Sequence, residues 1–491
     1  MTDSALAFAA LALPLAAALL VVPMPTPGAA DLLNRVASGL TAAIALVLAA
    51  IALAAAPETA ARGSWYVLDP AGGVFLALVA VVGLASAWVS PAYLRHAGRG
   101  WFSARGSHSW YYAAFYLFWS ALLALPLTDN LALAWLLLEA TTAASALLVA
   151  FGGSRNALEA GWKYVVLTTL GLAVALFGIV VLFVAADGAA SGLDRLDWGV
   201  LARGAAAMPP QATLAAFVLI VAGLACKIGW APVHNWLPDA HSEAPPPVSA
   251  MLSAALLPTV LLIAWRTELA LEPALGDAAR SLLIGFGLLS LAIAVPFLWR
   301  PLPWKRLLAY SSLEHMGILA LGIGFGTPLA IAGVVVHIAG HGIAKALGFY
   351  VAIPLLRRDP AAAGRPARGV ARDSRPLAAA MSVSLATLAG LPPSPIFVSE
   401  VMILLGGMDA GLTAVSAIAA VLLALGFLGL AHALLSGLLG EGGRPQRPPS
   451  RTARPVARLA GAAAVALLAL SAIAYALPGS DLVEALMRSG G

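Results

Sequence analysis

The 491-residue sequence is short of charge, of thiols and of lysine. Asp, Glu, Lys and Arg together make up 10% of it, against 61% hydrophobic residues and a mean hydropathy of +0.92. A soluble chain of this length needs far more charge to cover its surface, so lipid is the solvent for most of these residues. The single cysteine, Cys226, excludes a disulfide framework, an iron–sulfur cluster and a zinc site built on thiolates. No Walker A run and no GxGxxG after a strand is present, nor any haem or quinone signature. The chain is expected to hold no cofactor, no metal and no redox centre of its own. Asp3 and no basic residue precedes the first apolar run, so that run is expected to be a retained span and not a removable signal peptide.

What is there is a succession of apolar runs of about 20 residues, the length that crosses a bilayer. Hydropathy places fourteen of them at roughly 5–23, 36–56, 72–90, 109–128, 131–151, 162–186, 212–235, 246–265, 281–299, 305–325, 328–355, 377–407, 410–438 and 457–477. The expected fold is therefore all-α, a single polytopic bundle over 1–491. The net charge of +5 is a matter of placement and gives no reason to expect nucleic acid. Of 28 Lys and Arg residues, 20 follow odd-numbered spans, 6 follow even-numbered spans or the last one, and only Lys227 and Lys345 lie within spans. The positive-inside rule then puts the odd-following loops in the cytoplasm and both termini outside. The two richest loops, 357–376 and 441–458, are Pro- and Arg-rich and are expected to be flexible topology determinants beside anionic lipid. The longest stretch between spans, about 187–211, is too short to fold alone.

Two spans are interrupted. One reads LACKIGWAPVHNWLPDAHSEAPPPVSA, with Pro232 just after Lys227; the other reads LATLAGLPPSPIFVSEVMIL, with Pro392, Pro393 and Pro395 just before Glu400. Proline removes a backbone donor and clashes with the preceding turn, so each helix must break there. Such breaks at membrane depth persist only where protein or a water-filled cavity surrounds them. They lie about 160 residues and five spans apart, an odd offset that reverses direction across the membrane. That is the trace of an inverted five-helix repeat with two broken helices, its halves at about 109–265 and 281–438.

Charge inside a membrane costs at least ~2.5–3.5 kcal/mol per residue at a helix centre, so each instance needs a reason. The candidates for proton translocation are Glu139, Lys227, His234, His337, His341, Lys345 and Glu400, with Glu314 and His315 as further candidates; His432 lies in a later span. Among 24 arginines and four lysines, both deeply placed cations are lysines. A guanidinium effectively never deprotonates, whereas a buried ammonium can release a proton. His337, His341 and Lys345 follow at i, i+4 and i+8, which stacks them on one helix face over roughly 12 Å. Histidine titrates near neutrality and can receive a proton on one ring nitrogen while donating from the other. HxxxH is also a metal-ligand spacing, but no carboxylate or thiolate follows on the same face. Glu139 and Lys227 are the expected opposite-charge partners of the first half, while Glu314 could pair with Arg300, Lys305 or Arg306 in a cytoplasmic loop.

The segments KIGWAPVHNWLPDAHSEAPPPVSAML, KRLLAYSSLEHMGILALG, HIAGHGIAKAL and GLPPSPIFVSEVMIL resemble the antiporter-like membrane subunits of respiratory complex I, Mrp cation/proton antiporters and membrane-bound hydrogenases. The resemblance covers roughly 110–440, and SSLEHMG, DAHSEAPPPVS and FVSE are most similar to the component F branch of hydrogenase 4 and formate hydrogenlyase-type complexes. It implies fourteen helices with an inverted repeat of five. It implies that Glu139 is the family's fifth-helix glutamate and Lys227 the lysine of the broken seventh. His337, His341 and Lys345 then match the eleventh helix, and Glu400 the ionisable residue of the broken twelfth. The eighth helix departs from the pattern, with Pro258 in MLSAALLPTVLLI where many relatives have a lysine; a central relay there needs water, histidine or a rearranged helix. The implied function is a proton-translocating subunit of a hydrogenase-like or complex I-like membrane oxidoreductase in a prokaryotic inner membrane. Its implied partners are other membrane subunits and a cytoplasmic redox arm with hydrogenase or iron–sulfur subunits. Three alternatives stay open: a subunit of a Na⁺/H⁺ or K⁺/H⁺ antiporter, a membrane partner of a soluble enzyme coupled to proton flux, and a structural spacer with a dead channel.

Overall fold

The computed structural model describes residues 2–55, 61–95, 107–188, 190–441 and 453–488. The chain runs through α1 (Thr2–Val21), α2 (Pro27–Ala54), a two-residue hairpin of β1 (Ala61–Arg62) and β2 (Val67–Leu68), α3 (Pro70–Leu94), α4 (Ser107–Leu127), α5 (Leu131–Val149) and α6 (Arg155–Ala185). A short α7 (Trp198–Gly204) leads to α8 (Pro210–Ile228), α9 (Trp236–Glu243), α10 (Pro246–Ala250) and α11 (Leu257–Leu275). Then come α12 (Asp277–Leu298), α13 (Trp304–Phe325), α14 (Pro328–Arg358), α15 (Val370–Asp373), α16 (Arg375–Leu388), α17 (Pro395–Asp409), α18 (Thr413–Leu439), α19 (Ala453–Ala474) and α20 (Asp481–Arg488).

Helix starts follow a local rule. A capping side chain precedes a proline that pre-sets the first turn: Asp69 accepts from the Gly72 amide at 2.6 Å ahead of Pro70, Thr327 from Ala330 at 3.3 Å ahead of Pro328, and Ser394 from Phe397 at 3.2 Å ahead of Pro395. Thirteen of the described helices are long and apolar enough to cross a membrane, and the broken pair α16–α17 makes a fourteenth crossing. The expected span 377–407 is thus two half-helices, and the expected 212–235 is α8 followed by an irregular turn and α9. Segment lengths recur in order: α4 and α12 have 21 and 22 residues, α5 and α13 have 19 and 22, and α6 and α14 have 31 each. In both series a broken helix comes next.

Burial sorts the crossings. The apolar windows of Pro246–Leu275 and Trp304–Phe325 are wholly enclosed, whereas two thirds of that in α6 faces outward, with Leu170, Phe177 and Val184 exposed to the lipid side. The bundle axis therefore runs along α10–α11 and α13, with α6 at its rim. The helices α6 and α8 meet almost backbone to backbone: a Cβ on Gly223 would collide with the Gly171 carbonyl oxygen.

Two expectations about charge need correction. Arg266, placed by hydropathy just beyond the eighth span, is enclosed in α11, where its guanidinium binds Asp69 at 2.7 Å and the carbonyls of Thr128 and Pro126 at 3.1 and 3.0 Å. Helix α11 runs on past residue 265, so a carboxylate and two helix-end carbonyls replace water as partners. The 357–376 loop is folded, with a 3-10 turn at Pro360–Ala363, the four-residue α15 and an ion pair between Arg358 and Asp373. Asp373 and Asp359 hold Arg358 and Arg365 in place. Of the 441–458 loop, residues 442–452 lie outside the described residues, and α19 starts at Ala453.

Candidate functional site: a buried polar axis

Lys227 occupies the last turn of α8, where Gly229 at φ +81° closes the helix in the left-handed conformation that favours glycine. Carbonyl groups at a helix C-terminus favour a cation. The ammonium is fully buried and donates to the Leu138 carbonyl at 3.2 Å, to the Thr142 hydroxyl and to the Tyr164 hydroxyl at 3.4 Å. Tyr164 in turn bonds Ser145 at 2.8 Å and packs on Trp236 of α9, ring centroids 4.8 Å apart. The expected contact ion pair with Glu139 is not formed: no carboxylate lies within 4.0 Å of Lys227 among the described residues. Lys227 bonds the backbone of Leu138, and the next side chain on α5 points about 100° further round the helix. Glu139 is half-buried at the rim, accepts from Thr169 at 3.5 Å, and stays within electrostatic reach of Lys227.

The second cluster lies on α13, α14 and α17. Glu314 and His315, on α13, are buried, as are His337, His341 and Lys345 on α14. Lys345 donates to the Leu308 carbonyl at 2.6 Å and to the Ser311 hydroxyl. His315 Nδ1 and His337 Nε2 share a hydrogen bond of 2.9 Å, and His337 Nδ1 lies 2.9 Å from the Ser399 hydroxyl. The His341 ring centroid is 4.9 Å from that of His315, and its Nε2 is 3.4 Å from the Ser253 carbonyl. Glu400 reaches this group from the opening turns of α17, beside Gly390 (φ +71°), where a Cβ would sit 2.8 Å from its carboxylate. Glu314 makes no ion pair with Arg300, Lys305 or Arg306; it lies against Gly426 of α18, where a Cβ would collide with its carboxylate. The cations before and in the first turn of α13 have other partners, for Lys305 donates to the Ser242 and Ala244 carbonyls and Arg306 pairs with Asp239 at 3.0 Å.

One set could hold a metal: donor atoms of His315, His337 and Glu400 all lie within 4.8 Å of one another. The carboxylate missing from the α14 face is thus supplied by α17. The two imidazoles already bond each other, an arrangement equally suited to passing a proton.

Several members of the axis carried no sequence signal of their own. His241 of α9 is fully buried with neither ring nitrogen hydrogen-bonded, stacks on Phe349 at 5.2 Å and is within electrostatic reach of both Lys345 and Lys305. It stands between the two clusters, where the DAHSE motif alone read as part of a broken span. Residues Met251–Leu256 form a π-helix immediately before Pro258. Proline at 258 can give no N–H to the carbonyl four residues back and its ring crowds that turn, which the wider π-turn relieves. Its Ser253 then offers its carbonyl to His341 and its hydroxyl to Ser312 at 2.8 Å. Two candidates are peripheral. His234 is buried in the first break without a hydrogen bond to Lys227 and with Nδ1 unpartnered, and His432 is exposed on α18 beside Ser436.

A bundle with two interrupted helices and lysines at its axis defines a class, the ion-translocating membrane subunits with broken helices. Residues 128–432 match the family model of NADH:quinone oxidoreductase and Mrp antiporter transmembrane subunits, and the chain belongs to that family. It is 33% identical over 351 residues to a hydrogenase-4 component F homolog of Methylacidiphilum infernorum, covering 70% of this chain and 72% of that one. It is 30% identical over 431 residues to NADH-quinone oxidoreductase subunit N of Desulforudis audaxviator, covering 82% and 81%. Its fold is that of a chain in the Mrp complex of a Dietzia species, with a TM-score of 0.82 at 20% identity over 99% of this chain and 97% of that one.

Proposed function

We propose that this chain carries protons across a prokaryotic inner membrane as one subunit of a larger complex. The observation that carries the reading is the environment of the two axial lysines: each is fully buried and bonded only to neutral oxygens. A proton can leave such a lysine without an ion pair being broken, and an adjacent hydroxyl is already in place to pass it on. The proposed path runs from Glu139 at the rim through Lys227 and Tyr164, past Trp236 to His241 and Lys345. It continues along His341, His315 and His337 to Ser399 and Glu400. Water bridges the gaps that hydrogen bonds do not. Two symmetry-related halves, 109–265 and 281–438, would each contribute one lysine and one broken helix, as the recurring helix lengths suggest. The π-turn supplies oxygen acceptors where Pro258 has replaced a side chain, which speaks against a dead channel.

The similarity to a hydrogenase-4 component F homolog and to an NADH-quinone oxidoreductase membrane subunit favours a redox-driven assembly, in which a cytoplasmic arm with hydrogenase-type or iron–sulfur subunits moves the charges. This chain itself would hold no cofactor, and both termini would face outside. The test is dye-monitored acidification of inverted vesicles containing the assembled complex. Lys227→Ala should cut proton uptake to about a hundredth while leaving the subunit composition intact. Undiminished uptake in that variant would remove the relay. Uptake that requires added Na⁺, with no redox polypeptide co-purifying, would transfer the chain to the antiporter reading.

A further inference from the structure

Away from the polar axis, a groove of about 680 Å³ lies between α3 and α19, with α2 and the end of α14 completing its walls. Its sides are hydrocarbon: Val81 and Trp88 of α3, Ile353 of α14 and Leu459 of α19. Three arginines also line it, Arg35 of α2, Arg95 at the close of α3 and Arg458 in the opening turns of α19. All three are exposed, and no carboxylate lies within 4.0 Å of any of them among the described residues. Three guanidinium groups line one apolar slot, and the nearest acid in the sequence, Asp31 one turn before Arg35, already accepts from the Tyr112 hydroxyl at 2.6 Å. The segments 96–106 and 442–452 supply further cations, Arg99 and Arg105 in the first and Arg444, Arg447 and Arg451 in the second, without an acidic residue in either.

We propose that this groove binds an anionic phospholipid, its phosphate held by Arg35, Arg95 and Arg458 and an acyl chain lying along α3 and α19. The chemistry matches at both ends. A guanidinium takes a phosphate through two parallel hydrogen bonds, and a tail buries the apolar wall that water would otherwise meet. The position matches too. The start of α2 and the end of α3, joined through a hairpin, lie at the same membrane face, the one that the distribution of Lys and Arg assigns to the cytoplasm, where anionic headgroups attract basic clusters. Trp88, 60% exposed, sits where an indole marks the headgroup boundary.

The experiment uses the full chain with its co-purifying subunits, reconstituted in nanodiscs of phosphatidylglycerol and phosphatidylcholine, re-extracted in mild detergent and weighed by native mass spectrometry. The intact protein should retain phosphatidylglycerol in preference to phosphatidylcholine. The triple variant Arg35→Gln/Arg95→Gln/Arg458→Gln should lower that retention about 100-fold. Ala85→Trp, which fills the slot without altering charge, should abolish it as well and serves if the triple variant fails to fold. Retention unchanged in both variants overturns the site. So does a photo-crosslinker at position 88 that captures a polypeptide instead of lipid.

Discussion

At Lys227 the difference between lysine and arginine becomes measurable. Lys227→Arg keeps the cation but removes any means of releasing the proton, so it should stop translocation as fully as Lys227→Ala, as read by vesicle acidification with subunit composition as the control. A merely structural cation would tolerate the exchange. Gly426 is equally specific, because the carboxylate of Glu314 occupies the space a methyl would need. Gly426→Ala should destabilise the protein by about 1–3 kcal/mol in a thermal-unfolding assay, and Gly426→Ala/Glu314→Ala should recover part of that loss. Outside the spans, burial raises the Asp129 carboxyl from 3.8 to about 6, against a partial lowering by Arg62. Because the folded state holds that proton more tightly than the unfolded chain, Asp129 adds stability as pH falls from about 7 toward 4 and loses it as pH rises through 6. Asp129→Asn should flatten this slope in unfolding midpoints recorded across that range. The residues legible in the sequence were those whose mere presence in an apolar run is expensive: Glu139, Lys227, Glu314, His315, the α14 triad and Glu400. Ser253, Ser312 and Ser399 gave no such signal, because hydroxyls are cheap in membrane helices and bond their own backbone. His241 was read only as part of a broken span, since nothing in the DAHSE motif itself set it apart from its neighbours.

Among elements, the π-helix before Pro258 makes the clearest claim. If the bulge is what supplies the Ser253 carbonyl to His341, then Pro258→Ala allows an ordinary α-turn to form and withdraws that acceptor. Proton uptake should fall several-fold in inverted vesicles while the unfolding midpoint stays the same or rises, since a helix-interior proline is unfavourable by ~3 kcal/mol relative to alanine. A drop in both would assign Pro258 to packing alone. The sequence marked this position as a departure from the family pattern but could not foretell its form, because a π-turn depends on which carbonyls the neighbouring helices can accommodate. The breaks at Pro232 and at Pro392–Pro395 were legible, since proline acts on the local chain. The extent of α11 was not, and so Arg266 read as a loop cation.

For the molecule as a whole, Arg266 ties α3, α4 and α11 together through Asp69, Pro126 and Thr128, where α3 begins and α4 ends. Arg266→Met leaves a carboxylate buried and unpaired and should lower stability by ~3–5 kcal/mol; adding Asp69→Leu should restore much of it, with detergent melting curves of the two variants as the measurement. The number and order of crossings were readable from hydropathy and charge, because the bilayer imposes a single length scale. Which crossings form the axis was not, since lipid-facing and protein-facing helices are alike apolar.

The 31-residue helices α6 and α14 measure about 46 Å at 1.5 Å per residue, well over the ~30 Å of hydrocarbon they cross. Such helices lean further in a thin bilayer and stand straighter in a thick one. One carries the Tyr164 hydroxyl that meets the first lysine; the other carries the second lysine and two of the imidazoles. Bilayer thickness therefore bears directly on the alignment of donors and acceptors, and the lipid a cell makes becomes a setting on how readily this protein conducts.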